Sequence, residues 1–227
     1  MTDRLPAHQI AYARLRDMVL FGDLAPGAAV TIEGLVGRLG LGMTPVREAI
    51  RRLIAEGALQ MQGNRRVCVP RLDIAALEDL GHARAAIETR LARQALPGCD
   101  SAVIADLRAI DTRLDQALAT GDIPAYLRAN HAFHFALYAR ASSEVLEALA
   151  ISLWLRFGPS LRVVCLGQAD KGARGAHGGA LHMPDNHKRA LAALEAGDPT
   201  ALAEAIAADI AQGVENIHAG LAGGVFG

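Results

Sequence analysis

A mostly α-helical chain in two parts is what this sequence predicts: a head over residues 1–70, built of three short helices closed by a hairpin, and an all-helical body over residues 71–227. Three observations predict it. Aromatic residues make up only 4% of the chain while alanine and leucine recur everywhere, a bias toward helices over sheets. Turn residues punctuate the apolar stripes at helix-length intervals. Charge divides at Pro70: nine basic against six acidic residues give the head +3, and the remainder carries −4. With 52% hydrophobic residues, long disordered tails are excluded, and a net charge of −1 excludes a uniformly basic coat.

In the head, Ile10, Leu15, Met18 and Val19 set up a helix from about His8 to Phe21, stopped by Gly22. Ala25-Pro26-Gly27 makes a turn. Thr31 caps a second helix through Leu39, closed by Gly40. After the connector Leu41-Gly42-Met43, Thr44-Pro45 reads as N-cap and first helical residue of a third helix that runs to about Glu56. Val46, Ile50 and Leu53 form its inward stripe; Thr44, Arg47, Glu48, Arg51 and Arg52 its outward face. Leu59–Gln62 and Val67–Val69 read as strands around Gly63-Asn64. Together these describe a winged helix-turn-helix. Arg47 stands in the first turn, where a cation opposes the helix dipole. It faces either a phosphate or base edge, or plain solvent.

The body reads as six helices, roughly 73–95, 100–119, 122–140, 143–166, 181–196 and 198–218, with a glycine-rich loop over 167–180. Polar residues interrupt their apolar stripes. Arg84 falls among Leu77, Leu80, Ile87 and Leu91; Asn130 and His134 among Ile123, Leu127 and Leu137. His187 shares a face with Leu191 and Leu194, and Asp209 with Leu202, Ile206 and Ile210. Unpaired ions do not face a core, so one shared polar interior is the economical reading. Asn130 and His134 are four apart, the spacing that lets two side chains of one helix reach one metal. His187 and Asp209 add two candidate ligands. Imidazole, carboxylate and amide oxygen suit a divalent ion such as zinc, nickel or manganese. Hydrogen-bonded core histidines are the other reading. Cys68, Cys99 and Cys165 show no CxxC spacing, which fits a reducing cytoplasm. The N-terminus lacks a signal-peptide pattern, and no apolar run approaches the ~20 residues of a membrane span, so a cytoplasmic protein without a membrane partner is expected.

The segments GDLAPGAAV, LVGRLGLGMTPVREAIRRLIAEGAL and NRRVCVP resemble the DNA-binding head of the GntR family of bacterial transcription regulators, over roughly residues 8–70. The resemblance implies that Arg47 contacts the operator, with Thr44 beside it; Arg51 on the same face and Arg65 and Arg66 in the wing complete the candidate DNA-binding set. The chain departs from the family at Gly42-Met43, where Ser-Arg is usual, at Glu33, where an arginine is frequent, and at Arg66, where glycine is usual.

LGHARAAIETRLARQA, GDIPAYLRANHAFHFALYARA, LWLRFGPSL and NHKRALAALEAGDPTALAEAIAADI resemble the FCD ligand-binding domain of the FadR-like branch. That implies an antiparallel helical bundle around a small-molecule cavity. Many members hold a divalent metal there with one Asp and three His. In this chain those positions are Asn130, His134, His187 and Asp209, so two of the four ligands differ. The family's cavity arginine matches Arg84, a fork of donors suited to an effector's carboxylate. The expectation is a homodimer on a two-fold double-stranded operator, its affinity controlled by a small carboxylate-containing metabolite, with possible metal assistance. A metal-dependent helical-bundle enzyme with an appended DNA-binding head is the alternative, though no HExxH is present.

Overall fold

The structure, a computed structural model, describes residues 5–63, 66–174 and 185–223, with only the backbone of 168–174. The chain divides into two compact units: Met1–Leu72 with Trp154–Ser160, and Asp73–Leu153 with Leu161–Gly227.

The head contains α1 (Ala7–Leu20), α2 (Ile32–Leu39) and α3 (Met43–Ala55). Its sheet has the order β1 (Ala29–Val30), β3 (Arg66–Cys68), β2 (Gln60–Gln62), antiparallel throughout. Gln60 pairs with Cys68 and Gln62 with Arg66, which is the predicted hairpin. β1 is a strand the sequence analysis does not anticipate; two residues carry no readable alternation. Thr31 caps α2 as expected, its hydroxyl accepting from Gly34 N–H at 3.1 Å, and Gly40 ends the helix in the left-handed conformation. α3 begins two residues earlier than expected. Gly42 is the N-cap, in extended conformation, and Thr44 and Pro45 lie inside the first turn. Proline is tolerated there because first-turn amides have no acceptor within the helix. Val46, Ile50 and Leu53 are buried against α1, with Leu15 and Val19.

A segment of a later helix belongs to this unit, which nothing in the sequence signals. Around Gly158 the helix approaches Leu20 so closely that a Cβ would stand 2.1 Å from its carbonyl oxygen.

The body contains α4 (Ile74–Ala95), α5 (Ser101–Thr120), α6 (Ile123–Tyr138), α7 (Glu144–Arg174), α8 (Asn186–Ala196) and α9 (Pro199–Ala222). Asp73, Asp100, Asp122, Asp185 and Asp198 each cap a helix by accepting a backbone N–H two or three residues on. α4 packs along α9, α5 along α6, and α8 along α9. α7 continues to Arg174, so residues 167–174 are helical where a loop is expected; Gln168, Ala169, Lys171, Ala173 and Arg174 are good helix formers between the glycines. The expected loop residues 175–180 and helix start at 181–184 lie outside the described residues. Within α7, Glu144–Gly167 is long and apolar enough to cross a membrane by those measures, but 56% of its most apolar window is buried inside the protein, as in a core helix.

Gly158→Ala gains helix propensity yet forces a methyl into the Leu20 carbonyl. The expected outcome is a net loss of about 1–3 kcal/mol in urea denaturation. An unchanged or raised midpoint contradicts this packing.

Candidate nucleic-acid interface and metal centre

Arg47 and Arg51 stand one turn apart on α3 and Arg66 stands on β3; all three side chains are exposed. They line one groove of about 800 Å³ in the head, together with Thr31, Glu33 and Met61. Three cations from two elements thus face one concavity, and Glu33 offsets part of their charge. Thr44 is exposed in the first turn of α3 and is not among the groove-lining residues. Arg65 lies outside the described residues. Arg52, counted with the outward face from sequence, has a different role. Its Nε donates to Glu56 at 2.9 Å, and its guanidinium lies 3.6 Å from the centroid of the Tyr12 ring. The Tyr12 hydroxyl donates to the same Glu56 carboxylate. Arg52 therefore ties α3 to α1 and leaves the groove to its neighbours.

In the body, His134 of α6, His187 of α8 and Asp209 of α9 bring one ligating atom each within 4.8 Å of one another. His134 Nε2 lies 3.0 Å from Asp209 Oδ2 and 3.4 Å from His187 Nε2; His187 Nε2 lies 3.9 Å from Asp209 Oδ1. Both imidazoles are buried, and the Asp209 side chain keeps 22% exposure. Asn130, one turn before His134 on α6, is buried, and its Oδ1 has no hydrogen-bond partner among the described residues. An orphaned amide oxygen costs free energy, on the order of 1–3 kcal/mol, unless something binds it. The Phe133 ring packs against His187 with centroids 4.5 Å apart.

Electrostatics separate the three groups. Burial pushes His187 down to about 4 against the opposing pull of Asp209, so its ring is neutral at pH 7. Burial alone would raise the Asp209 carboxyl, but the charge that His187 carries once protonated, the His134 imidazole 3.0 Å away and the charge of Arg84 outweigh it and hold the group well below the usual carboxylate range. A neutral imidazole and an ionised carboxylate are the forms that ligate a cation. The donor set of two imidazole nitrogens and a carboxylate fits a borderline divalent ion.

Behind His134 lie two residues the sequence analysis passes over. Glu88 of α4 is fully buried and takes Arg84 in a two-point ion pair, Nε to Oε1 at 2.7 Å and Nη2 to Oε2 at 3.3 Å. The Tyr138 hydroxyl donates to Glu88 Oε2 at 2.8 Å and lies 2.9 Å from His134 Nδ1. Sequence reading put Ile87 on the stripe; in the helix Ile87 is only partly buried and Glu88 takes the inward position. Both missed residues sit four after a predicted one, Glu88 after Arg84 and Tyr138 after His134, and the i, i+4 step was the available signal. His131 stacks on Phe135, and exposed His82 faces the Glu78 carbonyl, so neither joins the cluster.

The pattern of the bacterial regulatory proteins of the gntR family matches residues 7–69, and that of the FCD domain matches residues 79–212. This chain is a GntR-family regulator with an FCD body. The HTH-type transcriptional regulator McbR of Escherichia coli K12 is 30% identical over 147 residues, covering 65% of this chain and 66% of McbR. An HTH-type transcriptional regulator in an unstable DNA locus of Streptomyces ambofaciens is 36% identical over 124 residues, 54% of this chain. The aligned stretches therefore span just under two thirds of the first relative and about half of the second. The solved structure of E. coli McbR/YncC superposes with a TM-score of 0.84 at 25% identity, covering 96% of this chain and all of that one. A GntR transcriptional regulator from Rhodococcus sp. RHA1, at 22% identity and a TM-score of 0.72, shares the fold. These relatives carry the names of regulators and not of enzymes, which sets aside the metalloenzyme alternative for this GntR-family chain.

A neutral buried His187 carries a sign for stability. The unfolded chain takes up its proton below about pH 6.5 and the folded chain does so only near 4. Stability of the metal-free protein falls across that window, by at most about 3 kcal/mol from this residue. In chelator-treated protein, the stability difference between wild type and His187→Gln should shrink as pH falls from 6.5 to 4. A difference that stays constant across the window contradicts the buried neutral ring.

Proposed function

We propose that this regulator binds a two-fold operator as a cytoplasmic homodimer and changes its operator affinity when a small carboxylate-bearing metabolite binds in the FCD body. The observation that carries the sensing half of this reading is the convergence of His134, His187 and Asp209 on one point inside the body, with Asn130, whose oxygen has no partner among the described residues, one turn before His134 on α6. These four residues hold a divalent ion such as zinc, nickel or manganese. When bound, such an ion supplies a Lewis-acidic point for the metabolite's carboxylate oxygens. Arg84 adds positive charge near Asp209. Because its Nε and Nη2 already serve Glu88, an effector carboxylate at Arg84 shares the guanidinium with Glu88. Effector control requires only that the metabolite bind the operator-competent and operator-incompetent states with different affinity.

The DNA-binding half rests on the groove. Arg47, Arg51 and Arg66 contact the operator there, Thr44 lies beside Arg47 at the start of α3, and Arg65 joins Arg66 from the wing. Phosphate contacts release counterions, so they weaken with salt in proportion to their number.

Two measurements test the two halves. Arg47→Ala, Arg51→Ala and Arg66→Ala should each either lower the slope of log affinity against log salt by about 0.9 or cost ~1–3 kcal/mol at one base position. Arg52→Ala should lower head stability and leave that slope unchanged, because Arg52 is committed to Tyr12 and Glu56. Equal effects at Arg52 and Arg47 contradict the assignment. For the sensing half, operator affinity is measured with Zn(II), Ni(II) or Mn(II) and a panel of small mono- and dicarboxylates. A carboxylate should shift affinity in wild type, and the shift should vanish in His134→Ala and His187→Ala. No response to any carboxylate, with or without metal, contradicts the reading.

A further inference from the structure

The buried chain behind His134 has a direction. Glu88 takes two guanidinium N–H groups of Arg84 and one hydroxyl proton from Tyr138. A carboxylate paired with a guanidinium has only lone pairs to offer, so the proton between Tyr138 and Glu88 belongs to Tyr138. A hydroxyl has one proton, and this one is spent on Glu88. The Tyr138 oxygen can therefore meet His134 Nδ1, 2.9 Å away, only as an acceptor. Nδ1 must then carry hydrogen, and Nε2 is the nitrogen left to face Asp209 Oδ2 and His187 Nε2.

We infer that Tyr138, held by the buried Arg84–Glu88 pair, is a positioning residue that fixes the proton of His134 on Nδ1 and so presents Nε2 to the cation site. This rests on the reading that His134, His187 and Asp209 hold a metal. It also gives Arg84 a task that does not require an effector: Arg84 makes a buried carboxylate tolerable at Glu88, and Glu88 orients Tyr138. The arrangement has the logic of outer-shell partners that fix a ligating imidazole's tautomer and ring orientation. Four buried polar side chains on α4 and α6 are consumed by it. A hydrophobic seam between these helices would pack as well, so cohesion alone does not call for them.

The competing arrangement has Tyr138 donating to His134 Nδ1 while Nε2–H donates to Asp209. It leaves the Tyr138 oxygen facing Glu88 without a proton between them, whereas the inferred arrangement leaves the unprotonated contact at His134 Nε2 and Asp209, where a cation would stand. Nitrogen-15 NMR of the histidine side chains in metal-free, full-length protein at pH 7.5 separates the two, because bonded and bare ring nitrogens resonate far apart. A protonated Nδ1 at His134 is the expected result, and a bare Nδ1 overturns the inference. In the second arm, Zn(II) affinity is read by competition with a chromophoric chelator. Tyr138→Phe keeps the ring and removes the oxygen, and it should weaken Zn(II) about 10–100-fold. Affinity within twofold of wild type overturns the inference even where the variant melts lower, since a merely structural role would move the melting temperature alone. Failure of wild type to bind Zn(II), Ni(II) or Mn(II) refutes the metal reading instead, and the metal-free Nδ1 signal still decides for or against Tyr138.

Discussion

Three lone-pair-bearing atoms turned toward one another inside a helical body are the constraint on which this account depends. Without a proton or a cation between them, His134 Nε2, His187 Nε2 and Asp209 repel, and a core does not gather such groups for cohesion. Their neighbours are arranged accordingly. His187 is kept neutral by burial, Asp209 is held ionised by its surroundings, and Asn130, one turn from His134 on α6, has an oxygen with no partner among the described residues. A divalent ion bound at this point would take up the lone pairs of these groups together. The body accordingly spends part of its core on polarity, along α4 at Arg84 and Glu88 and along α6 at Asn130, His134 and Tyr138.

The head solves a different problem with similar economy. α3 is short, and each of its faces is committed. Val46, Ile50 and Leu53 bury against α1, Arg52 clamps Tyr12 and Glu56, and Arg47 and Arg51 remain for the groove that Arg66 shares from the sheet. Two arginines adjacent in sequence thus have opposite roles, because consecutive helical positions point about 100° apart. Glu33 in the same groove lowers the positive charge available there.

Much of this was legible in the sequence, for identifiable reasons. Helix boundaries were readable where a side chain or a glycine makes them: Thr31, Gly40, Asp122, Gly121 and Gly197 each mark a terminus by a local mechanism. The clustering of His134, His187 and Asp209 was readable because polar residues on an apolar stripe need partners. Glu88 escaped because a strict seven-residue count drifts from the 3.6-residue turn, which put Ile87 where Glu88 faces inward. Tyr138 escaped because a tyrosine on an apolar stripe reads as core until its hydroxyl's partners are seen. β1 and the docking of Gly158 on Leu20 depend on contacts between residues far apart in the chain, and no local pattern encodes them. The division of labour between Arg51 and Arg52 likewise depends on Tyr12, forty residues away.

The central claim is that His134, His187 and Asp209 form one coordination sphere. X-ray absorption at the metal edge of protein loaded with one equivalent of zinc tests it most directly. The account predicts two imidazole ligands at about 2.0–2.1 Å with the remaining donors oxygen, and loss of one imidazole in His187→Gln. A first shell of oxygen alone, or one unchanged by that substitution, would contradict it.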